Sequence, residues 1–282
     1  MLDDLSTGAK ANLAAIGLDR RLHYVRGTIT NIKTLSAVVK KVDAVVHLAA
    51  AISPFISIET PEVTHRVNVT GTLNVLNACR ANGVRQVVFA SSSSVYGNTG
   101  KLSHIGELQP TNPLTPYGAS KLAGEKYCQA FSATYGIGTV SLRYFNVYGE
   151  RQRNNPYSGV IAIFANKLIK QEAPTIYGSG KQTRDFVHVQ DVARANLKAL
   201  EFRGKSHAFN IGTGVSTSIN QLYSMLAESL GIQSVIPIRE NKRPGDILHS
   251  CADASASSAL GFRARVGLRE GLNRLIEWLK PT

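Results

Sequence analysis

The sequence predicts an α/β fold with a doubly wound parallel sheet and a second, smaller α/β lobe. Short apolar runs alternate with longer segments of helical periodicity over the first 150 residues. Residues 44–48 and 86–90 are compact and mostly apolar, as expected for strands buried on both faces of a parallel sheet. Beyond Gly149 the chain mixes shorter strands and helices. We therefore expect two domains, 1–150 and 151–282, with some later segments returning to the main sheet.

The individual elements follow from the same patterns. Strands are predicted at 1–4, 22–25, 44–48, 86–90, 139–143 and 186–189. Helices are predicted at 32–40, 62–82, 117–135, 160–168 and 191–200, the second of them ending at Gly83. Short strands and helices then mix through 207–211, 218–230 and 268–279. In a parallel sheet of this kind the ligand lies beyond the carboxyl ends of the strands.

The charge balance is strongly basic, at +13 over 282 residues. Lysines and arginines are scattered, however, without a long basic run or a nucleic-acid-binding motif. A small anionic substrate needs only a few such side chains. We therefore expect a phosphate-bearing ligand and no nucleic acid.

The hydrophobic pattern and the cysteines bear on the cellular compartment. No apolar run approaches the roughly 20 residues that span a bilayer, and the first four residues lack the pattern of a signal peptide. Cys79, Cys128 and Cys251 are far apart and show no metal-binding spacing. We expect a cytoplasmic protein with free thiols, no membrane contact and no metal site.

Tyr117 and Lys121 open the predicted helix 117–135 and are four residues apart, so they lie on one helix face. An ammonium group beside a phenol favours its ionisation, from an ordinary pKa of about 10. The resulting phenolate is a general base for a hydroxyl proton. Tyr177 and Lys181 have the same spacing but bracket a Gly-Ser-Gly loop. The spacing by itself does not decide between a catalytic pair and a surface pair.

Several motifs together resemble the extended short-chain dehydrogenase/reductase family, and within it the nucleotide-sugar epimerases. Besides Tyr117-x-x-x-Lys121, the matching segments are Leu2–Gly8 (LDDLSTG), His47–Ala50 (HLAA), Asn68–Thr72 (NVTGT), Ser91–Gly97 (SSSSVYG), Leu142–Gly149 (LRYFNVYG), Gln182–Phe186 (QTRDF) and Arg243–Asp246 (RPGD). The resemblance covers essentially the whole chain. It implies a Rossmann-type sheet with a smaller substrate-binding lobe, and NAD as the cofactor.

The resemblance also implies the roles of particular residues near the cofactor. Tyr117 matches the acid/base, Lys121 the group that lowers its pKa and binds the nicotinamide ribose, and Ser92 the hydroxyl that contacts the reacting sugar. Asp3 matches the acid that binds the adenosine ribose, which favours NAD over NADP. The remaining cofactor positions are Leu48, Ala49, Ala50, Asn68 and Phe145.

On the substrate side the matching positions hold a UDP-sugar. They are Ser92, Asn146, Arg184, Arg243, Asp246 and Ser250. The arginines would pair with the diphosphate, whose geometry suits a guanidinium, and Asp246 would accept from the uridine ribose. Ser250 stands where relatives restricted to UDP-glucose have a bulky tyrosine. We hypothesise that UDP-N-acetylglucosamine fits as well as UDP-glucose.

The implied reaction is C4 epimerisation of a UDP-hexose through a transient 4-keto sugar. Related dehydratases carry acidic residues at the positions of Ser93 and Ser94, and related decarboxylases carry a glutamate at the latter. Since both residues are serines here, dehydration and decarboxylation each lack their acidic residue, and epimerisation remains as the implied reaction. UDP-glucuronate 4-epimerisation is an alternative, because the serine run suits that group too. Members are commonly homodimers, through the helices that carry Asn68 and Tyr117.

The family's Gly-x-x-Gly-x-x-Gly loop and the strand before it are absent from this sequence. That loop supplies backbone N–H groups to the dinucleotide pyrophosphate. Either this sequence starts late, at an internal methionine or a misassigned start, or the protein truly lacks the element, and we favour the first account. We expect weak NAD binding and marginal stability of the 282-residue form. The competing hypothesis is a catalytically silent relative that only binds nucleotide sugar. An in-frame glycine loop upstream would favour the enzyme.

Overall fold

A computed structural model describes residues 1–17, 19–40, 42–100, 102–152, 159–204, 206–232, 234–243 and 247–280. The strands are β1 (Leu2–Asp3), β2 (Val25–Arg26), β3 (Ala44–His47), β4 (Gln86–Ser92), β5 (Gly138–Tyr144), β6 (Asn146–Tyr148), β7 (Thr175–Tyr177), β8 (Thr183–His188), β9 (His207–Ile211), β10 (Ser216–Ser218), β11 (Ile238–Glu240) and β12 (His249–Ser250). The α-helices are α1 (Ile32–Val39), α2 (Pro54–Glu59), α3 (Pro61–His65), α4 (Gly71–Ala81), α5 (Pro116–Tyr135), α6 (Val160–Ile169), α7 (Val189–Glu201), α8 (Ile219–Leu230) and α9 (Leu268–Leu279).

The chain divides into two compact units that interleave along the sequence. The first contains Met1–Val95, Thr115–Leu142 and Ala199–Ala208. The second contains Tyr96–Leu114, Arg143–Lys198 and Phe209–Thr282. The division into domains 1–150 and 151–282, with some later segments returning to the main sheet, stays a prediction. Side-chain contacts between residues that are far apart in sequence group 96–114 with the second unit. Such contacts have no signal in hydrophobic periodicity.

The first unit contains two parallel pairings. β1 pairs with β2, Asp3 being in register with Arg26, and β3 pairs with β4. A four-stranded sheet has the order β3-β4-β5-β9, so β3 is its end strand and Val46 is 36% exposed. The expected strand at 22–25 forms only at Val25–Arg26, whereas β4 continues two residues further than expected, to Ser92.

Buried apolar residues form the core of the first unit. Its largest members are Ile29, Leu35, Val75, Leu76, Val87, Phe89, Phe131 and Ile137. Gly124 lets α5 approach β4 closely, because a Cβ at this position would overlap the ring of Phe89. The close approach fixes the helix that carries Tyr117 against the strand that ends at Ser92.

The helix expected at 62–82 is interrupted in the middle. α3 and α4 are joined by a π-helical turn, Arg66–Thr70, which contains Asn68. Such turns insert one extra residue per turn and often occur at functional sites. α2 was not expected from the sequence. It begins at the N-cap Ser53, whose hydroxyl accepts from the Ile56 N–H at 3.1 Å, followed by Pro54 in the first turn.

The second unit is built around β8. β8 pairs with β10, β12 and β6, and β7 pairs with β11 in a separate two-stranded sheet. The apolar faces of α6, α8 and α9 supply most of the core, including Phe164, Leu168, Leu222, Leu226, Leu272 and Leu275. α8 begins with a capping box between Ser218 and Gln221.

Two further observations concern the whole of the described chain. None of its helices is long and apolar enough to cross a membrane. Cys79, Cys128 and Cys251 are free and buried, as expected of free thiols. Burial raises the pKa of each thiol to about 12, so the thiolate is scarce near neutral pH.

Candidate active site

Tyr117 lies in the first turn of α5, where backbone N–H groups have no partner within the helix. Thr115 is the N-cap, and its hydroxyl accepts from the Gly118 N–H at 3.2 Å. The Tyr117 N–H itself donates to the hydroxyl of Ser57 at 3.0 Å, a side chain of α2 that is fully buried. Two separate hydrogen bonds therefore fix the backbone that carries the phenol.

Ser92 is the last residue of β4 and is hydrogen-bonded to the side chain of Tyr117. Its hydroxyl also donates to the Ser94 hydroxyl at 3.1 Å and accepts from the Ser94 N–H at 3.2 Å. The sequence resemblance selected Ser92 from four consecutive serines. The structure brings it to Tyr117, and Ser94 orients it.

Lys121 is almost fully buried one turn after Tyr117. Its ammonium donates to the Ala90 carbonyl at 2.8 Å and lies 5.9 Å from the centroid of the Tyr117 ring. It also lies 5.2 Å from the centroid of the Phe89 ring. Burial lowers the pKa of Lys121 to about 8, so the amine is still mainly protonated at pH 7.

The pKa of Tyr117 differs from the sequence expectation. We expected Lys121 to lower it, but in the ligand-free chain the pKa of Tyr117 is raised above its ordinary value of 10.0. Burial is the larger cause, and the hydrogen bond with Ser92 opposes it. Sequence spacing places the ammonium near the phenol correctly, but it contains no information on the desolvation of both groups.

Asn68 joins the loop after β3 to the catalytic helix. Its amide oxygen accepts from the Ala51 N–H at 2.7 Å, and its amide nitrogen donates to the Ala51 carbonyl at 3.0 Å and to the Ser120 hydroxyl at 2.9 Å. Ser120 in turn donates to the Tyr117 carbonyl at 2.7 Å. The π-helical turn places this amide between the two segments. The sequence predicted a supporting role for Asn68 but missed Ser120.

His47 is a buried polar residue at the start of the His47–Ala50 motif. Its Nε2 lies 2.9 Å from the Thr72 hydroxyl, which already donates to the Asn68 carbonyl. The imidazole is therefore the donor to Thr72. Burial, and secondarily the charge of Lys121, lower the pKa of His47 to about 3. A neutral imidazole thus packs beneath the Asn68 turn.

The second unit carries most of the residues expected to bind substrate. The Asn146 side chain donates to the Asp185 carbonyl at 3.3 Å, and Arg184 is in register with Ser250 in the neighbouring strand. Ser250 is only 6% exposed. The guanidinium of Arg243 stacks on the ring of Tyr177, 3.5 Å from its centroid. Asp246 lies outside the described residues.

A model of the NAD dependent epimerase/dehydratase family matches residues 2–212. The chain belongs to this family. A putative UDP-glucose 4-epimerase of Methanocaldococcus jannaschii is 40% identical over 283 residues, which cover 99% of this chain and 90% of that protein.

Two solved structures of similar proteins support the assignment of the fold. A UDP-glucose 4-epimerase from Thermotoga maritima, determined with UDP-glucose, has a TM-score of 0.93 and 34% identity, covering 98% of this chain and 89% of that one. A UDP-N-acetylglucosamine 4-epimerase from Methanobrevibacter ruminantium, in complex with UDP-N-acetylmuramic acid, has a TM-score of 0.92 and 33% identity, covering 98% and 88%. The likeness confirms the Rossmann-type α/β fold expected from the sequence.

Members of the epimerase/dehydratase family use NAD, and the first unit fits the cofactor chemically at two places. Asp3 is the last residue of β1, and its carboxylate accepts from the Leu5 N–H at 2.7 Å. Leu5 has a φ of 62°. This left-handed conformation is unfavourable for leucine. At the end of β3, Leu48 is 56% exposed although it is apolar. An acidic group and an exposed apolar surface beyond parallel strands suit an adenosine ribose and a dinucleotide.

The other expected cofactor residues are distributed between the units. Ala49 and Ala50 follow Leu48 in the first unit, as does Asn68 on its π-helical turn. Phe145 belongs to the second unit, where it is 4% exposed and its N–H donates to the Ile211 carbonyl at 3.0 Å. The contacts of these residues with NAD remain predictions.

Proposed function

We propose that the chain interconverts UDP-glucose and UDP-galactose by epimerisation at C4, with NAD as the redox cofactor. The observation that carries the proposal is the convergence of Ser92, Tyr117 and Lys121 in the first unit, with a Ser92–Tyr117 hydrogen bond and the Lys121 ammonium facing the phenol ring. A hydroxyl group and an ammonium group beside a phenol suit the removal of a proton from a sugar alcohol.

Tyr117 exchanges the proton of the C4 hydroxyl in this proposal. Asp3 and the segment after β3 would hold NAD, which would supply the hydride-transfer chemistry at C4. Ser92 donates to whichever oxygen is negatively charged, either the phenolate or the sugar oxygen. Lys121 contributes a positive charge, which favours the ionised phenol. Burial raises the pKa of Tyr117, and the hydrogen bond with Ser92 opposes this shift.

Dehydration is disfavoured by the residues beside Ser92. Ser93 and Ser94 stand where related dehydratases have acidic side chains, and the Ser94 hydroxyl is engaged with Ser92. A serine hydroxyl has no charge near neutral pH and is a poor general base. The first unit therefore supports proton exchange at C4 without an added elimination step.

The choice of sugar rests on Ser250. Its side chain is small and buried, and its strand is paired with that of Arg184. A small residue leaves room that a tyrosine would fill, which supports acceptance of UDP-N-acetylglucosamine. The similarity to a solved UDP-N-acetylglucosamine 4-epimerase agrees with this choice.

The test is incubation of the protein and excess NAD with UDP-glucose, UDP-N-acetylglucosamine or UDP-glucuronate, followed by NMR detection of the C4 epimers. We expect UDP-galactose and UDP-N-acetylgalactosamine. Tyr117→Phe should lower kcat about 10²- to 10⁴-fold, because it removes the acid/base. Tyr135→Phe, in the last turn of the same helix, is the matched control and should leave kcat unchanged.

Different outcomes exclude different parts of the proposal. Turnover of UDP-glucuronate alone would replace the proposed substrate class with that sugar acid. Turnover of UDP-glucose without the N-acetyl sugar would refute the role given to Ser250. Binding of UDP-glucose with no epimer from any substrate would favour a silent nucleotide-sugar-binding protein. A Tyr117→Phe variant with more than a tenth of the wild-type kcat would exclude Tyr117 as the acid/base.

A further inference from the structure

Asp185 is a fully buried carboxylate in β8 that the proposed reaction does not use. Four donors of the described chain surround it. One oxygen accepts from the Thr213 N–H at 2.9 Å and the Thr213 hydroxyl at 2.6 Å. The other accepts from the Gly214 N–H at 2.9 Å and the Ala252 N–H at 3.1 Å. A buried charge needs such partners, so this arrangement is specific and costly to disturb.

The donors come from two segments that are distant in sequence. Thr213 and Gly214 follow β9, and Ala252 follows β12. A Cβ at Gly212 would lie 2.5 Å from the Asp185 carboxylate, so only glycine allows the chain to pass at this distance. Asp185 therefore binds the segments that follow β9 and β12 to β8 through hydrogen bonds.

Three of the residues proposed to bind substrate depend on this junction. Arg184 precedes Asp185 in β8, and Ser250 is in register with Arg184 two residues before Ala252. Asn146 donates to the backbone carbonyl of Asp185 at 3.3 Å. The side-chain amide of Asn146 and the paired strands of Arg184 and Ser250 thus meet at this junction.

We infer that Asp185 is a positioning residue for the nucleotide sugar, acting through Arg184, Asn146 and Ser250. The inference rests on the proposed function, because those three residues are assigned to substrate by it. It predicts an effect of Asp185 on substrate affinity that exceeds its effect on the chemical step, since Ser92, Tyr117 and Lys121 belong to the other unit.

Asp185→Asn is the decisive variant. An amide has one oxygen, so it can accept from Thr213 or from Gly214 and Ala252, but it presents N–H groups to the remaining donors. Asp191 provides a matched control, because it is equally buried in the same unit. It accepts from the Arg265 N–H at 3.1 Å and the Val266 N–H at 3.0 Å, and it pairs with Arg194.

The experiment measures UDP binding by isothermal titration calorimetry and the melting temperature of wild type, Asp185→Asn and Asp191→Asn. Both variants should melt at lower temperatures than wild type. Asp185→Asn should raise the Kd for UDP about tenfold, the equivalent of about 1.4 kcal/mol. Asp191→Asn should leave this Kd within about twofold of wild type. In turnover assays Asp185→Asn should raise KM for the UDP-sugar with little change in kcat.

A milder variant covers the case in which Asp185→Asn does not fold. Thr213→Val removes one hydroxyl donor and keeps the Thr213 N–H bond, so we expect a folded protein with a Kd raised about threefold.

Unchanged UDP affinity in the folded Asp185 or Thr213 variant would overturn the inference. Equal weakening by Asp185→Asn and Asp191→Asn would also overturn it, because general destabilisation would then be the cause. A wild-type chain that binds no UDP would refute the proposed function, whereas wild-type binding that the variants leave unchanged would refute the inference alone.

Discussion

Tyr117 and Lys121 lie close enough for the ammonium to face the phenol ring, yet burial shifts the pKa of each towards its neutral form. Desolvation penalises charge whatever its sign, so a phenol and an amine in the same dry environment shift in opposite directions. The Ser92 hydroxyl is hydrogen-bonded to the phenol, and this bond favours the ionised form of Tyr117.

Lys121→Met tests the cost of the buried ammonium. Its pKa is lowered from 10.5 to about 8, which corresponds to roughly 3 kcal/mol at about 1.36 kcal/mol per pKa unit. The unfolded chain binds more protons between pH 8 and 10.5, so wild-type stability gains from rising pH in that window. We expect Lys121→Met to have the higher free energy of unfolding at pH 7, and this advantage to shrink towards pH 10.5.

Urea denaturation at pH 7 and pH 10 measures the difference between the two proteins. Lys126→Met is the control, because this lysine is exposed on the same helix and its loss should matter little at either pH. If Lys121→Met exceeded wild type in free energy of unfolding by the same amount at both pH values, a buried charge at Lys121 would be contradicted. Loss of the hydrogen bond from Lys121 to the Ala90 carbonyl would change the free energy of unfolding equally at both pH values.

At the level of elements, the start of α5 decides where the phenol lies. The helix begins with the N-cap Thr115 and Pro116 in the first turn, one residue before Tyr117. Fraying of this turn would move Tyr117 relative to Ser92, although the rest of the helix stays packed on β4. Capping at this end therefore affects both stability and chemistry.

Thr115→Ala should lower the free energy of unfolding by about 1 kcal/mol and should also lower kcat. Asn31→Ala is the matched control, because Asn31 caps α1 in the same unit by accepting from the Thr34 N–H at 3.2 Å. It should cost similar stability and leave kcat unchanged. Urea denaturation and the epimerase assay measure the two effects. Equal kcat values for both variants would show that the α5 cap has no role in turnover.

For the molecule as a whole, the residues proposed for acid/base chemistry and those proposed for substrate binding fall in different units. Ser92, Tyr117 and Lys121 belong to the first, and Arg184 and Arg243 to the second. α5 has a further surface that its own unit leaves exposed, formed by Tyr127, Ala130 and Thr134. Their spacing places them on one helix face. We propose this face for the homodimer that the family resemblance implies.

Ala130→Arg tests the proposed dimer at the centre of that face. A long charged side chain should prevent close packing of two copies of α5, so we expect a dimer to become a monomer in sedimentation equilibrium. Ala37→Arg is the control, because Ala37 is exposed on α1, outside the two helices implied for the dimer, and it should leave the dimer intact. A wild-type monomer, or a variant that remains dimeric, would exclude this interface.

Much of the fold followed from local pattern. Apolar runs separated by helical periodicity identified β3, β4, α1, α5 and α6, because buried strands and amphipathic helices have distinct periods. The π-helical turn at Asn68, α2 and the interleaving of the two units did not follow. The first two take part in hydrogen bonds between residues 17 to 60 positions apart, such as Asn68 with Ala51 and Tyr117 with Ser57. The third involves bonds such as that between Tyr96 and Asn210, 114 positions apart in the second unit.

The sequence by itself determined the family, the Rossmann-type fold and the spacing of Tyr117 and Lys121, since motifs and periodicity are properties of neighbouring residues. The tertiary structure decided which hydroxyl meets the phenol, how burial shifts the pKa of Tyr117, and which side chains hold the binding residues in place. Asp185 shows the reason. A carboxylate whose donors lie 28 to 67 residues away has no signal in its own segment, because the partners are set only when the strands pair.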